Sequence, residues 1–260
     1  MQNSDLIGKY LKLQSGTIFD ELKSFNDDKS VLAYSDVDKS VVWNFSFVKY
    51  PLPVLEIKTL EREWTKRKRT PSFYFEDKPE LGILKNNLER LGYKMAYKDA
   101  WMSFEKLLVL NPEYKVVKVS NEKELKLSLD VCNKCFEKDD PNNPYGEMGD
   151  EYLKIISDSW HKHHQTDRIE CFIFYKDNEP VAVSQLTNYE GLGYISNVGS
   201  LRSVRGQGFG KLATLHAVKR SQELKNKDTF LLTEEDGYPY EFYKRIGFKE
   251  RFAIFDYSKE

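Results

Sequence analysis

The segment Arg205-Gly206-Gln207-Gly208-Phe209-Gly210 is the feature that most constrains what this chain can fold into. It follows an apolar stretch typical of a strand, Tyr194 to Gly199, and leads directly into a helix-forming run that begins at Lys211. Glycines at alternate positions let the backbone turn tightly and leave N–H groups uncovered, and a helix N-terminus adds partial positive charge. Residues 205–211, called the glycine loop below, are therefore predicted to hold a phosphate group.

The residue types in this segment exclude two common phosphate-binding loops. A dinucleotide-binding fingerprint that starts at Gly206 needs glycine where the chain has Lys211. A Walker loop that ends at Gly210 and Lys211 needs glycine in place of Arg205 and Ser or Thr in place of Leu212. The phosphates must therefore belong to another kind of ligand.

Two motifs resemble those of one enzyme family. Arg205, Gly208 and Gly210 match the pattern Arg/Gln-x-x-Gly-x-Gly/Ala, which resembles the pyrophosphate loop of the GNAT acyltransferases. Downstream, the stretch Glu241 to Phe248 is similar to the second signature of that family, F-Y-x-x-x-G-F. The resemblance implies an N-acyltransferase that moves an acyl group, most simply acetyl from acetyl-CoA, to a primary amine by direct attack in a ternary complex.

Composition and charge limit the possible partners. The chain has 260 residues, enough for one large domain or two small ones. Its 40 Lys and Arg against 41 Asp and Glu give a net charge of −1, so no global field favours nucleic acid or an anionic membrane. No leader-like start and no run of about 18 apolar residues occurs, which predicts a cytoplasmic protein. The three cysteines are expected to be free thiols, and no metal site is predicted.

Periodicity predicts a mixed α/β fold in two domains, residues 1–112 and 113–260, each with a mostly antiparallel twisted sheet and flanking helices. In the second half the order is strand, two helices, three antiparallel strands, helix, strand, helix, strand, which is similar to the whole GNAT fold. The fragment Leu88 to Tyr93 parallels Phe242 to Phe248, which predicts a tandem repeat. In the first half the connection Lys49 to Pro53 has no glycine, and proline has no N–H to offer a phosphate. That half is therefore predicted to be a degenerate copy, with an unrelated α/β domain as the alternative.

The resemblance also implies a set of site residues. The donor is expected to contact the end of the strand and the glycine loop, at Val198, Gly199, Ser200, Arg205, Gly206, Gln207, Gly208, Phe209, Gly210 and Lys211. Tyr243 occupies the signature tyrosine, and a phenol with a pKa of about 10 is protonated at neutral pH and can supply the departing thiolate. Some relatives use a glutamate as general base where this chain has Leu231, so Glu234 is chosen here, with Glu235, Glu190 and a water chain left open.

The acceptor and two other functions remain open at this point. The connection Glu137 to Gly149 borders the acceptor site in the family, and its acids Asp139 and Asp140, with Tyr145, indicate a cationic amine on a small molecule or a peptide. A non-catalytic acyl-CoA-binding sensor or scaffold is the main alternative. An aminoacyl-tRNA-dependent transferase also pairs two GNAT-like halves, but the near-zero net charge and the intact glycine loop count against it. The oligomeric state is not determined by the sequence.

Overall fold

The chain forms two compact units in a computed structural model that describes residues 2–25, 27–108, 114–143 and 145–259. Unit 1 takes in the chain up to Trp101, together with Thr233–Glu235 and the chain from Glu250 onward. Unit 2 consists of Met102–Leu232 and Asp236–Lys249. The predicted boundary at residue 112 lies outside the described residues and stays a prediction.

Helices and strands alternate along most of the chain. The helices are α1 (Asn3–Gln14), α2 (Val54–Lys66), α3 (Gly82–Arg90), α4 (Glu122–Cys135), α5 (Asp150–His163), α6 (Phe209–Glu223) and α7 (Tyr238–Ile246). The strands are β1 (Glu21–Phe25), β2 (Ser30–Tyr34), β3 (Phe45–Val48), β4 (Ser72–Glu76), β5 (Lys94–Ser103), β6 (Lys115–Lys118), β7 (Ile169–Lys176), β8 (Glu179–Tyr189), β9 (Leu192–Ser200), β10 (Asp228–Glu234) and β11 (Lys249–Ser258).

In unit 1 the strands lie in the order β1-β2-β3-β4-β11-β5. The pair β3 and β4 is parallel and joined through α2, whereas β1–β2, β2–β3 and β4–β11 are antiparallel. Leu60 and Leu84 belong to the same buried cluster as Phe73, so α2 and α3 cover one face of this sheet. Neighbouring residues of a strand point to opposite faces, so Ser72 and Tyr74 lie on the other face.

In unit 2 the strand order is β10-β9-β8-β7-β6, with β9 and β10 parallel and the remaining pairs antiparallel. Helix α6 joins the two parallel strands as a crossover connection. Cys171 and Ile173 of β7 pack with α4 and α5, whereas Phe172 contacts His216 of α6. Because successive side chains alternate between faces, α4 and α5 lie on one face of the sheet and α6 on the other.

The structure confirms the mixed α/β fold and the element order predicted for the second half. Its last strand, however, pairs with β4 of unit 1, with Asp256 opposite Tyr74. The first half also contains elements that the sequence did not predict, namely α1, β1 and β2. No described helix is both long enough and apolar enough to cross a membrane.

Two elements of the first half differ from their predictions. The strand predicted over Val41 to Val48 is formed only from Phe45 onward, because Asn44 donates to the carbonyl oxygens of Asp38 and Ser40 and thereby holds a tight turn. The predicted strand pair around Met95 to Phe104 is one strand, β5. The succession strand, helix, strand, helix, strand still occurs twice, as β3-α2-β4-α3-β5 and as β9-α6-β10-α7-β11.

Candidate functional site

The parallel strands β9 and β10 separate partway along their length. Their register runs from Asp228 opposite Leu192 to Phe230 opposite Tyr194, although β9 continues to Ser200. Beyond this point the main-chain groups of β9 that face β10 are not used in that ladder. Unpaired strand edges accept an extended ligand through main-chain hydrogen bonds, so this separation is a potential binding cleft in unit 2.

A β-bulge marks the same part of β9. Gln185 of β8 lies opposite Ser196 and Val183 lies opposite Gly199, so two residues of β9, Asn197 and Val198, face a single residue of β8. A bulge leaves a residue outside the ladder and changes where the main chain points. Asn197 has a φ of 50°, and its side chain is held by a hydrogen bond from Tyr152 Oη to its Oδ1 at 3.0 Å.

The glycine loop presents main-chain amides to open space. Helix α6 begins at Phe209 and has no side-chain cap, so the first-turn N–H groups of Phe209, Gly210 and Lys211 have no partner within the helix. Gly206 and Gly208 have φ values of 73° and 88°, which side-chain-bearing residues rarely adopt, and a Cβ on either would meet no atom within 4 Å. The loop therefore has the donors, the dipole and the free space that an anion requires.

Arg205 forms an ion pair with Asp140. Both of its terminal nitrogens bond the two carboxylate oxygens of Asp140 in the connection between α4 and α5. The Asp140 side chain is 1% exposed and that of Arg205 is 27% exposed. Asp140 thus neutralises the loop arginine, whereas Lys211 is exposed and stands in no ion pair with a described residue. The sequence indicated Asp140 for the acceptor and gave no sign of this partner, which is 65 residues away.

The end of β9 packs closely against its neighbours. A Cβ on Gly199 would lie 2.5 Å from the Cβ of Cys135 in α4, so the strand can approach this helix only with glycine. A Cβ on Gly210 would lie 3.7 Å from the Ser200 hydroxyl and 3.6 Å from the ring of Phe242. Strand end, glycine loop and α7 therefore meet in unit 2. The donor-contact prediction for Val198, Gly199 and Ser200 stays a prediction.

Tyr243 lies on α7, half-buried, with its ring centroid 5.2 Å from that of Phe242 and 5.7 Å from that of Phe248. Burial raises the pKa of the Tyr243 phenol well above its ordinary value, and Tyr145 in the connection between α4 and α5 raises it further. The phenol is therefore protonated throughout the physiological pH range. A protonated phenol is compatible with the predicted role of Tyr243 as an acid. The raised pKa makes this phenol a weaker proton donor than a free tyrosine.

The predicted bases lie in different surroundings. Glu234 belongs to unit 1, whereas residues 198–211 and Tyr243 belong to unit 2. Glu235 is paired with Lys98, with 2.7 Å between the Lys98 Nζ and Glu235 Oε2 atoms. Glu190 lies in the turn before β9, at the opposite end of that strand from Gly199. Glu190 is thus removed from the bulge by the length of the strand, and the base remains a prediction.

A cavity of about 390 Å³ adjoins the start of α6. Beside it, the Lys176 ammonium donates to Gln207 Oε1 of the glycine loop at 2.8 Å. The sequence did not indicate this cavity, because its lining comes from the start of β6 and the residue before it, from the end of β7 and the turn that follows, and from α6. The lining residues are Tyr114, Lys115, Tyr175, Lys176, Asp177, Asn178 and Phe209.

Solved structures with a similar fold cover almost the whole chain. A GCN5-related N-acetyltransferase from Kribbella flavida is 17% identical, with a TM-score of 0.69 over 96% of this chain and 94% of its own. A conserved protein of unknown function from Staphylococcus epidermidis ATCC 12228 is 16% identical, with a TM-score of 0.67 over 94% of this chain and 96% of its own.

A tandem GNAT protein from the clavulanic acid biosynthesis pathway is 13% identical, with a TM-score of 0.54 over 89% of this chain and 78% of its own. At these identities the likeness establishes the fold. No curated protein sequence matches the chain significantly. Residues 133–248, which include the bulge, the glycine loop and Tyr243, match the model of the acetyltransferase (GNAT) family. This segment, which is less than half of the chain, is therefore recognised as a GNAT acetyltransferase domain.

Proposed function

We propose that the protein transfers an acyl group, most simply acetyl from acetyl-CoA, to a primary amine by direct attack in a ternary complex. The observation that carries this proposal is the uncapped first turn of α6 behind Gly206 and Gly208, within the segment that matches the family. The amides of residues 206–211 would hold the pyrophosphate of the donor, with Lys211 as the accompanying cation because Asp140 already neutralises Arg205.

The bulge and the separated strands support the placement of the rest of the donor. Val198, Gly199 and Ser200 would bind the thioester arm through main-chain groups, since β9 runs unpaired with β10 beyond Tyr194. A main-chain N–H directed at the thioester carbonyl would stabilise the charge that develops on its oxygen during attack. The side chains of these residues are not required for this role.

The remaining roles concern two protons. In the proposed reaction a C–N bond forms as the thioester C–S bond breaks, Glu234 accepts a proton from the attacking amine, and Tyr243 gives its proton to the departing thiolate. The phenol is protonated at neutral pH, which supports the second role. The acceptor would be an amine that is cationic in water and that attacks in its neutral form after it releases one proton to solvent. It would be carried by a small molecule or a peptide, and we propose no role for nucleic acid or a membrane.

The first half is proposed to be a degenerate GNAT copy that does not bind coenzyme A through a glycine loop. Its β3-α2-β4 crossover corresponds to β9-α6-β10, but the connection before α2 ends at Pro53 as the N-cap and contains no glycine. The similarity in fold to a tandem GNAT protein supports this reading. The catalytic residues are accordingly proposed only on residues 113–260.

Donor binding is tested by calorimetric titration with acetyl-CoA. We expect saturable binding that weakens about tenfold in Lys211→Gln, since one charge-assisted contact to phosphate is lost. Lys219→Gln, a matched change on the same helix where Lys219 pairs with Glu223, serves as the control and should bind normally. No binding to the intact protein would overturn the proposal.

Turnover is tested by thiol release from acetyl-CoA over a panel of primary amines. We expect Tyr243→Phe to lower kcat by about a hundredfold with acetyl-CoA affinity near normal, because proton donation contributes about that much to such reactions. Unchanged turnover would remove Tyr243 from the reaction. Donor binding without turnover on any amine would instead favour an acyl-CoA-binding sensor.

A further inference from the structure

A series of side-chain hydrogen bonds connects helix α5 to the bulge of β9. The Tyr152 hydroxyl of α5 donates to Asn197 Oδ1 at 3.0 Å, and Asn197 Nδ2 donates to Gln185 Oε1 of β8 at 3.2 Å. Gln185 Nε2 donates in turn to the Thr187 hydroxyl at 3.3 Å. We call Tyr152, Asn197, Gln185 and Thr187 the bulge network.

The bulge network holds the Asn197 side chain from two sides. Its amide oxygen accepts from α5 and its amide nitrogen donates to β8, so turning the amide over would set its oxygen against the oxygen of Gln185. Thr187 is 1% exposed, which fixes the far end of the network in the interior of unit 2. Networks whose members are satisfied in this way make their side chains rigid.

The side chain that is held belongs to the residue that turns the main chain. Asn197 has a φ of 50°, and together with Val198 it faces a single residue of β8. Bulges whose first residue lies in this left-handed region typically have glycine there, because the conformation is unfavourable for residues with a Cβ. Asparagine adopts it more readily than other such residues, and it adds an amide that glycine lacks. Asn197 therefore permits the turn and gives other elements a group to hold.

The bulge sets the direction of the main chain that follows it. A change in the backbone angles of Asn197 would rotate the peptide groups of Val198 and Gly199, which are proposed to bind the thioester arm. A donor stabilises a developing oxyanion only if it already points to the position that the oxygen takes in the transition state. A contact that fixes Asn197 thus bears on the rate of the reaction. The affinity for the donor would depend chiefly on the glycine loop.

We propose that Tyr152 is a positioning residue for acyl transfer. Its hydroxyl holds Asn197 in the left-handed conformation and thereby aims the main-chain N–H groups after the bulge at the thioester carbonyl. This inference rests on the proposed function and gives helix α5 a part in the reaction. Residues in sparsely populated backbone conformations cluster at active sites, where the surrounding structure holds them in place.

The first test compares Tyr152→Phe, Asn197→Gly and the double variant in thiol release from acetyl-CoA. We expect Tyr152→Phe to lower kcat about tenfold with an almost unchanged KM for acetyl-CoA, because a misdirected donor keeps part of an effect that is about a hundredfold when the donor is lost. Glycine adopts the conformation of Asn197 without support, so Tyr152→Phe should change kcat less than about twofold in the Asn197→Gly background. An equal loss in both backgrounds would overturn the proposal, since Tyr152 would then act without Asn197.

Tyr189→Phe is the matched control for the loss of a phenol hydroxyl from unit 2. Tyr189 is half-buried at the end of β8, where it lies opposite Leu192 of β9 and at a distance along the strand from Gln185. The Arg168 guanidinium lies 5.5 Å from the centre of its ring. This variant should keep the kcat and KM of the intact protein. A loss of kcat equal to that of Tyr152→Phe would overturn a specific role of the bulge network.

A second measurement does not depend on turnover. In amide proton–nitrogen NMR spectra of the full chain, Tyr152→Phe should shift the main-chain signals of Val198 and Gly199, whereas Tyr189→Phe should leave them in place. In the Asn197→Gly background, Tyr152→Phe should leave them in place as well. Signals that Tyr152→Phe does not move would overturn this inference alone. An intact protein that does not bind acetyl-CoA, or binds it without turnover, would overturn the proposed function and this inference with it.

Discussion

Asp256 is expected to make unit 1 less stable as the pH rises from about 4 to about 7. Its side chain is buried at 0% exposure, and burial is the main cause that raises its pKa from 3.8 to about 7. Between these two values the folded chain holds a proton that the unfolded chain has released. Stability therefore falls with rising pH in this interval and levels off above the folded-state pKa.

The size of the effect follows from the linkage relation. One extra proton in the folded state gives a slope of about −1.4 kcal/mol per pH unit, or about 4 kcal/mol over the whole interval. Because Asp99 raises the pKa of Asp256, the two carboxyl groups titrate as a pair, and we expect about 2 to 4 kcal/mol for Asp256 alone. Asp256→Asn removes this titration, so its stability advantage over the intact chain should grow with pH.

The assay is urea unfolding followed by tryptophan fluorescence at several values between about pH 5 and about pH 8. The chain has four tryptophans, and Trp43, Trp64 and Trp101 all lie in unit 1. A Trp160→Phe background therefore restricts the signal to unit 1, and Asp27→Asn controls for the loss of one acidic residue from that unit. A stability difference between Asp256→Asn and the background chain that stays constant with pH would refute the reasoning.

Two further predictions concern unit 2. Asp140→Asn should lower the free energy of unfolding by about 2 kcal/mol, which is less than for a fully buried pair because Arg205 is 27% exposed. Urea unfolding of Arg205→Gln, of Asp140→Asn and of the double variant should show a coupling energy between the two residues. Additive effects of the two substitutions would exclude the ion pair. Gly199→Ala should lower the free energy of unfolding by about 1 to 3 kcal/mol in the same assay, because the new Cβ would lie 2.5 Å from the Cβ of Cys135. Gly210→Ala should lower it clearly less, because its new Cβ would lie 3.6 Å from the nearest atom. Equal losses of stability in the two variants would contradict the packing argument.

The element order of the second half could be predicted because each element is encoded by contiguous residues. The alternation of apolar residues in β7, β8 and β9 and the helical period of α4 to α6 are properties of short segments. The prediction was weaker in the first half, where α1, β1 and β2 were missed. The segment Val41–Trp43 reads as a strand but forms a tight turn, because Asn44 bonds the preceding carbonyl oxygens. Side-chain hydrogen bonds of this kind override local propensity.

The sequence by itself determined the glycine loop, since the positive φ values of Gly206 and Gly208 and the helix that follows them are local consequences of residue type. Only the tertiary structure decided which partners these residues have. Arg205 finds Asp140 across 65 positions. Asp256 lies opposite Tyr74 because β11 pairs with β4. Local patterns specify backbone conformation, whereas the neutralisation of a charge or the pKa of a buried carboxyl depends on which distant segments the fold brings together.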